Sequence, residues 1–397
     1  MLNRNVIILF FTQLIFVSGS IVLVTLGGIV GNELASSRSL ATLPLSVMVI
    51  GTAVTTVPAS LLMQRIGRRY GFALAALIAC SGALIAAYAL ETGSFVWFCA
   101  AATTIGITLA FSQQFRFAAA ESVPIRRVSY AISFILLGSI GGAFLGPEIA
   151  ARSAAYDPAT PFRAAMLTSA GLYLVAAGLL LCMSRVIMTV DHDSNARADA
   201  RPMREVVVQP LFMVAVLAGI VGQGVMTFVM TATPLSMHVL DGHGIDEAAG
   251  VVRAHVIAMY LPSLISAPLI ARFGSQRLMA AGVLAMLATL GFGLSGQAVM
   301  HYWWALVLLG LGWNFLYVGG TTLLVKTYRP SERFRAQAVN EFSVFGISAL
   351  ASLLAGTIII QLGWTALLMS TLPLLIAMLL ALLWARGRTI MPANDLA

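Results

Sequence analysis

The sequence predicts an all-α membrane protein in which twelve transmembrane helices form two pseudo-symmetric six-helix bundles. Three observations carry this. Hydrophobic residues make up 59% of the chain and charged ones 10%, against roughly 25% charged in a soluble domain, so most of the surface needs lipid to cover it. Long apolar stretches recur along all 397 residues at about the 20-residue length of a membrane-spanning helix. The basic residues then alternate: 19 of the 23 Lys and Arg lie at the termini or in every second gap between stretches.

The expected spans are 6–31, 39–64, 71–90, 95–120, 129–150, 163–184, 207–232, 247–271, 275–297, 302–325, 337–361 and 364–385. The first follows Arg4, and its apolar run from Val6 to Gly31 is too long for the core of a signal peptide. Odd-numbered gaps hold only Arg38, Arg152, Arg163 and Arg253. Even-numbered gaps hold Arg65, Arg68 and Arg69, then Arg116, Arg126 and Arg127, then Arg185, Arg197, Arg201 and Arg204. Arg272 and Arg277 follow, then Lys326, Arg329, Arg333 and Arg335, with Arg386 and Arg388 after the last span. Cationic residues near helix ends stay on the cytoplasmic side, which places both termini there. Glu91 to Ser94, and Gly363, leave room only for a turn.

Residues 1–185 are expected to form the N-terminal bundle, 186–206 a flexible cytoplasmic linker and 207–397 the C-terminal bundle. The linker is mixed in charge, with Asp191, His192, Asp193 and Asp199, and lacks apolar periodicity. The halves read as copies. Arg65-Ile66-Gly67-Arg68-Arg69 follows the second span, and Arg272-Phe273-Gly274-Ser275-Gln276-Arg277 follows the eighth, with the glycines 207 positions apart. Gly138 lies eleven residues past Arg127 and Gly346 eleven past Arg335, an offset of 208. Transporters are often built by such duplication.

Several classes are excluded or disfavoured. The net charge of +8 sits in short juxtamembrane clusters, which argues for topology and against nucleic-acid binding. Cys80, Cys99 and Cys182 have no ligand-like spacing. No nucleotide-binding G-x-x-x-x-G-K-[ST] loop occurs. His192, His238, His243, His255 and His301 lack a nucleophile or metal constellation, so no enzyme, metal or cofactor is expected. His238, Asp241 and His243 share one glycine-rich outer loop with no second cluster to complete a metal site. A transporter-like sensor would carry a soluble signalling domain, which the sequence lacks. The partners expected are lipid, a small molecule and protons, and a monomer is the default.

Ser60-Leu61-Leu62-Met63-Gln64-Arg65-Ile66-Gly67-Arg68-Arg69 resembles the G-x-L-a-D-r-x-G-r-r loop of the major facilitator superfamily. The likeness extends over the whole chain and implies that family's twelve-helix fold. Gln64, and Ala271 in the second copy, stand where the family has the Asp that helps lock its cytoplasmic gate. Gly142, Gly146, Pro147, Glu148, Ile149, Ala150 and Ala151 resemble the antiporter pattern G-x-x-x-G-P-x-x-G-G. The likeness implies gating roles for Gly67, Arg68, Gly146 and Pro147. Physically, Gly138, Gly142 and Gly146 form a smooth strip for close helix contact, and Pro147 permits a bend. Gly312-Trp313-Asn314-Phe315, Thr327-Tyr328-Arg329-Pro330 and Asn340-Glu341-Phe342 resemble a bacterial subgroup associated with vitamin-type substrates such as riboflavin.

An ionisable side chain at membrane depth costs at least roughly 2.5–3.5 kcal/mol on insertion scales, so its presence points to function. Glu341, inside the eleventh span, is the foremost proton-carrier candidate; the alternative is a carboxylate favoured by the helix N-terminus. Arg116 matches a buried arginine the family often has on its fourth helix, or else snorkels to the interface. Glu121 can pair with Arg116 or with the arginines at 65, 68 and 69, and Glu148 is a candidate for proton entry at the outer end. In the family, helices one, four, seven and ten line the path. The corresponding polar residues here are Gln13, Thr108, Ser112, Gln223, Thr227, Asn314 and Tyr317, with Trp313 and Phe10 as aromatic walls for a planar ligand. Asn314, Tyr317 and Thr321 are spaced to share one face. The alternative for each is hydrogen bonding between helices. The function expected is secondary transport across the bacterial cytoplasmic membrane, by proton-coupled export or by uptake of a vitamin-like compound.

Overall fold

The computed structural model describes residues 3–34, 43–156, 162–184 and 201–387. Its contacts divide the chain into two compact units, Met1–Met188 and Thr189–Ala397. Among the described residues, eleven helical segments are long and apolar enough to cross a membrane. One of them, Arg333–Trp384, is two spans joined at Gly363, whose φ of 78° turns the chain back without a loop. Counting its arms separately gives the twelve spans.

In the first unit the helices are α1 (Arg4–Leu34), α2 (Leu43–Ile66), α3 (Arg68–Thr92), α4 (Phe95–Ser112), α5 (Phe115–Glu121), α6 (Val128–Tyr156) and α7 (Arg163–Leu181). Gly67, at φ 82°, joins α2 to α3, and Gly93 with the Ser94 cap reverses the chain into α4. The fourth span is therefore not the single helix expected. It tightens at Gln113 and Gln114, where the Gln114 N–H donates to the Phe111 carbonyl, and resumes as α5.

In the second unit follow α8 (Met203–Val207), α9 (Pro210–Pro234), α10 (Ile245–Tyr260), α11 (Ser263–Phe273), α12 (Ser275–Leu294), α13 (Val299–Leu324) and α14 (Arg333–Trp384). Pro210 opens α9 at the position where a missing N–H costs nothing. The eighth span is also broken, into α10 and α11, at Leu261-Pro262; proline cannot continue the hydrogen-bond ladder. Gly274, at φ 87°, repeats the role of Gly67.

The two units repeat one pairing scheme. In the first, α1 packs on α6, α2 on α4, and α3 on both α4 and α7. In the second, α9 packs on α14, α10 on α13, and α12 on both α13 and α14. Span for span these pairs correspond. Matching glycines allow matching contacts: a methyl on Gly106 of α4 would strike the Met48 carbonyl of α2, and one on Gly310 of α13 would lie 2.8 Å from the His255 carbonyl of α10. Outward faces carry exposed Val54, Val96, Leu264 and Ile360, the mark of a lipid-facing surface.

Residues 186–200 of the expected linker lie outside the described residues. Its described end is no free tether. Val206 is buried, and Arg201 donates through its backbone N–H, Nε and Nη2 to the Glu332 carboxylate at 2.9, 2.8 and 2.7 Å. Hydrophobicity at Val206 anchors α8, and the buried carboxylate fixes the chain entering it.

Candidate substrate site

In the second unit, side chains from four helices converge. Trp313 and Tyr317, one turn apart on α13, stack with ring centroids 4.6 Å apart and planes 21° apart. Tyr260 of α10 meets the Trp313 ring edge-on at 5.7 Å. Trp313 Nε1 donates to Gln223 Oε1 of α9 at 2.8 Å, and Gln223 Nε2 donates to Thr227 Oγ1 at 3.4 Å. Thr227 Oγ1 lies 2.8 Å from Ser348 Oγ of α14. Trp313 and Tyr317 are buried, whereas Gln223, Thr227 and Tyr260 are half-buried, so the cluster keeps an accessible side. Aromatic faces edged by an amide and two hydroxyls suit a planar ligand with hydrogen-bonding edges.

Gln223, Thr227, Trp313 and Tyr317 are thus brought together as the sequence suggested. Tyr260 and Ser348 were not singled out. Tyr260 carries a weak signal, as an aromatic residue just before the Pro262 break; Ser348 carries none. Asn314 does not share the Tyr317 environment. It is fully buried and donates to the Met259 carbonyl and Ser263 Oγ, both at 2.7 Å, while accepting from Ser266 Oγ at 2.7 Å. With both amide hydrogens used, it clamps α13 across the break between α10 and α11. Residues three apart on a helix differ in direction by a fraction of a turn, and here the neighbouring helices fall on either side of that difference.

In the first unit the expected polar residues are dispersed. Gln13 Nε2 donates to Ser139 Oγ of α6 at 3.0 Å. Thr108 and Ser112 donate to carbonyls of their own helix, Ile105 and Leu109. Phe10 stacks on Phe134 at 4.7 Å. The glycine strip of α6 is occupied by α1: methyls on Gly138, Gly142 and Gly146 would come within 2.6, 2.7 and 2.8 Å of the Phe10, Leu14 and Ser18 carbonyls. These positions advance by four on both helices, so the strip serves close packing. Pro147 leaves α6 continuous from Val128 to Tyr156.

Arg116 does not snorkel. It is 4% exposed within α5. Arg68, among the four arginines considered, takes Glu121: Nε donates to Oε2 at 2.8 Å and Nη2 to Oε1, with Gln114 Oε1 3.5 Å from Nη1. Both charged side chains are almost wholly buried, and the pair ties the start of α3 to the end of α5. Glu148 is exposed and pairs with Arg152 one turn on, as a solvated surface carboxylate does. Glu341 is fully buried in α14, accepting from Asn340 Nδ2 at 2.8 Å. Gly219 of α9 lets the helices approach there, since a methyl on it would lie 2.7 Å from Val344.

The loop from His238 to His243 is held by its own groups and by Gln297 and Tyr302 around the start of α13. His238 Nδ1 donates to the His243 carbonyl at 2.8 Å, His243 Nε2 to the Gln297 carbonyl at 2.7 Å, and the Tyr302 hydroxyl to Asp241. Among the described residues no cluster of three or more His, Cys, Asp or Glu is placed to hold a metal ion.

The Major Facilitator Superfamily sequence model matches residues 8–313. The riboflavin transporter RfnT of Brucella anthropi is 35% identical over 382 residues, spanning 96% of this chain and 95% of that protein. In fold, a bacterial homologue of the iron transporter ferroportin in an outward-facing state aligns over 97% of this chain and 100% of its own, with TM-score 0.74 and 13% identity. The proton:xylose symporter XylE aligns over 96% and 94%, with TM-score 0.74 and 15% identity.

Proposed function

This chain belongs to the Major Facilitator Superfamily, and on that premise we propose that it carries a flavin-like planar heterocycle across the bacterial cytoplasmic membrane into the cell. Its termini then lie in the cytoplasm, where the arginine placement puts them. The observation that carries this reading is the stacked Trp313 and Tyr317 pair with Gln223 at its edge. A fused ring system slides onto the aromatic faces, and Gln223, Thr227 and Ser348 supply hydrogen bonds to its carbonyls and to a polyol tail. The riboflavin transporter, alike along its whole length, supports the choice of ligand. Proton-coupled export, which the likeness of Gly142 to Ala151 to the antiporter pattern favours, is the alternative direction.

Glu341 supports proton coupling. A carboxylate buried in a span is costly unless it serves function, and proton uptake from one side followed by release to the other uses that cost. Transport then proceeds by alternating access as proton symport.

The test is uptake of riboflavin into proteoliposomes, read by its fluorescence. Stacking of a planar base on an aromatic side chain contributes about 1–3 kcal/mol, so Trp313→Ala should weaken binding about 5- to 150-fold. Glu341→Gln should bind riboflavin but lose accumulation driven by a pH gradient. If riboflavin neither binds nor enters, the substrate assignment fails. If Glu341→Gln keeps its full pH-driven accumulation, the carrier assignment fails.

A further inference from the structure

At the arginine-rich end of the second unit, a groove of about 430 Å³ opens between the start of α9, the start of the first arm of α14 and the end of its second arm. Its walls include Val207, Phe212, Leu217, Val339, Ala381 and Trp384, and every lining side chain is apolar or aromatic. Each of the three chain segments then places an exposed arginine about one turn or less beyond the groove. Arg204 precedes Val207 by three residues in α8, Arg335 precedes Val339 by four in α14, and Arg386 follows Trp384 by two. Spacings of three and four put the first two on the faces that line the groove. None of the three forms an ion pair among the described residues.

An apolar slot ending in three uncompensated cations has the chemistry of a phospholipid turned the right way up. We propose that the groove seats one acyl chain of an anionic phospholipid whose phosphate is held by Arg204, Arg335 and Arg386. Arginine presents forked donors that match phosphate oxygens, and basic pockets at helix ends on the cytoplasmic side recognise anionic headgroups. The occupant comes from the leaflet that meets this end of the unit. The site shares no residue with the Trp313 cluster, so it stands or falls independently of the substrate.

Trp384 makes the site observable. The full chain is reconstituted in phosphatidylcholine vesicles containing a graded fraction of acyl-brominated phosphatidylglycerol or acyl-brominated phosphatidylcholine. Quenching by the bromines is read as the fluorescence component that Trp384→Phe removes. Each juxtamembrane arginine favours an anionic lipid by about fivefold. With three arginines the factors multiply to about a hundredfold, so half-quenching should need up to about a hundredfold less brominated phosphatidylglycerol than brominated phosphatidylcholine, and added salt should narrow the gap. In the triple variant Arg204→Gln, Arg335→Gln, Arg386→Gln the two lipids should quench alike, with unchanged phosphatidylcholine quenching reporting correct insertion. Equal quenching by both lipids in the unmodified protein would overturn the proposal, as would a preference that survives in the triple variant.

Discussion

The Arg68–Glu121 pair makes a quantitative test of how the first unit is held together. Its side chains are 4% and 3% exposed, and two parallel N–H to oxygen contacts join them. Replacing either partner alone, as Arg68→Met or Glu121→Met, strips this two-fold contact from a charge that stays buried. Breaking a buried pair this way costs about 3–5 kcal/mol, whereas replacing both with apolar residues is often near neutral. The double variant should therefore be more stable than either single one, with a coupling energy of about 3 kcal/mol or more. For a unit of this size each kcal/mol moves the midpoint by about 2–4 °C, so each single variant should melt roughly 6–20 °C lower. The assay is thermal unfolding of detergent-solubilised protein followed by circular dichroism, closed as a double-mutant cycle. Arg65→Met is the control: Arg65 is exposed in the same connection and should shift stability by no more than about 0.5 kcal/mol. Additive losses in the double variant, or an equal loss at Arg65, would refute the claim that burial of this particular pair sets the cost.

The glycine strip of α6 predicts that Gly142→Ala loses about 1–3 kcal/mol, because its methyl meets the Leu14 carbonyl and the Val17 Cβ at 2.7 Å. Gly171→Ala, in open space on α7, should instead gain up to about 1 kcal/mol from helix propensity; equal losses at both sites in the same melts would show that α1 does not seal the strip. Burial pushes Glu332 toward the neutral form, but hydrogen bonds from the Arg201 side chain and from the Arg329 and Arg201 backbone N–H groups outweigh it and hold its pKa below the usual carboxylate range. Its stabilisation is therefore complete above that range and lost as pH falls through the lowered value. In Arg201→Gln this acid-side loss of stability should begin at higher pH, and melting curves between neutral pH and pH 3 that superimpose on the parent's would show that Arg201 is not what lowers it.

Much of this architecture is written along the chain. Apolar length marks each span, arginine placement orders them, and Gly67, Gly274 and Gly363 announce turns that the backbone makes with positive φ. The repeated landmarks around Gly67 and Gly274 foretold a duplication that reappears as the same helix pairings in both units. Rotation about each helix axis was not legible. In water a helix shows its buried face by contrast with a polar one; in lipid both faces are apolar, and that contrast vanishes. So spacing alone grouped Asn314 with Tyr317, while packing sends the first to Ser263 and Ser266 and the second beneath Trp313. Four arginines were equal candidates for Glu121 until α3 and α5 met, and Ser348 joined Thr227 only where α14 packs on α9. Transfer into lipid depends on each residue's own chemistry and can be read one position at a time. Which side chains touch depends on how whole helices fit, and that is decided only when they pack.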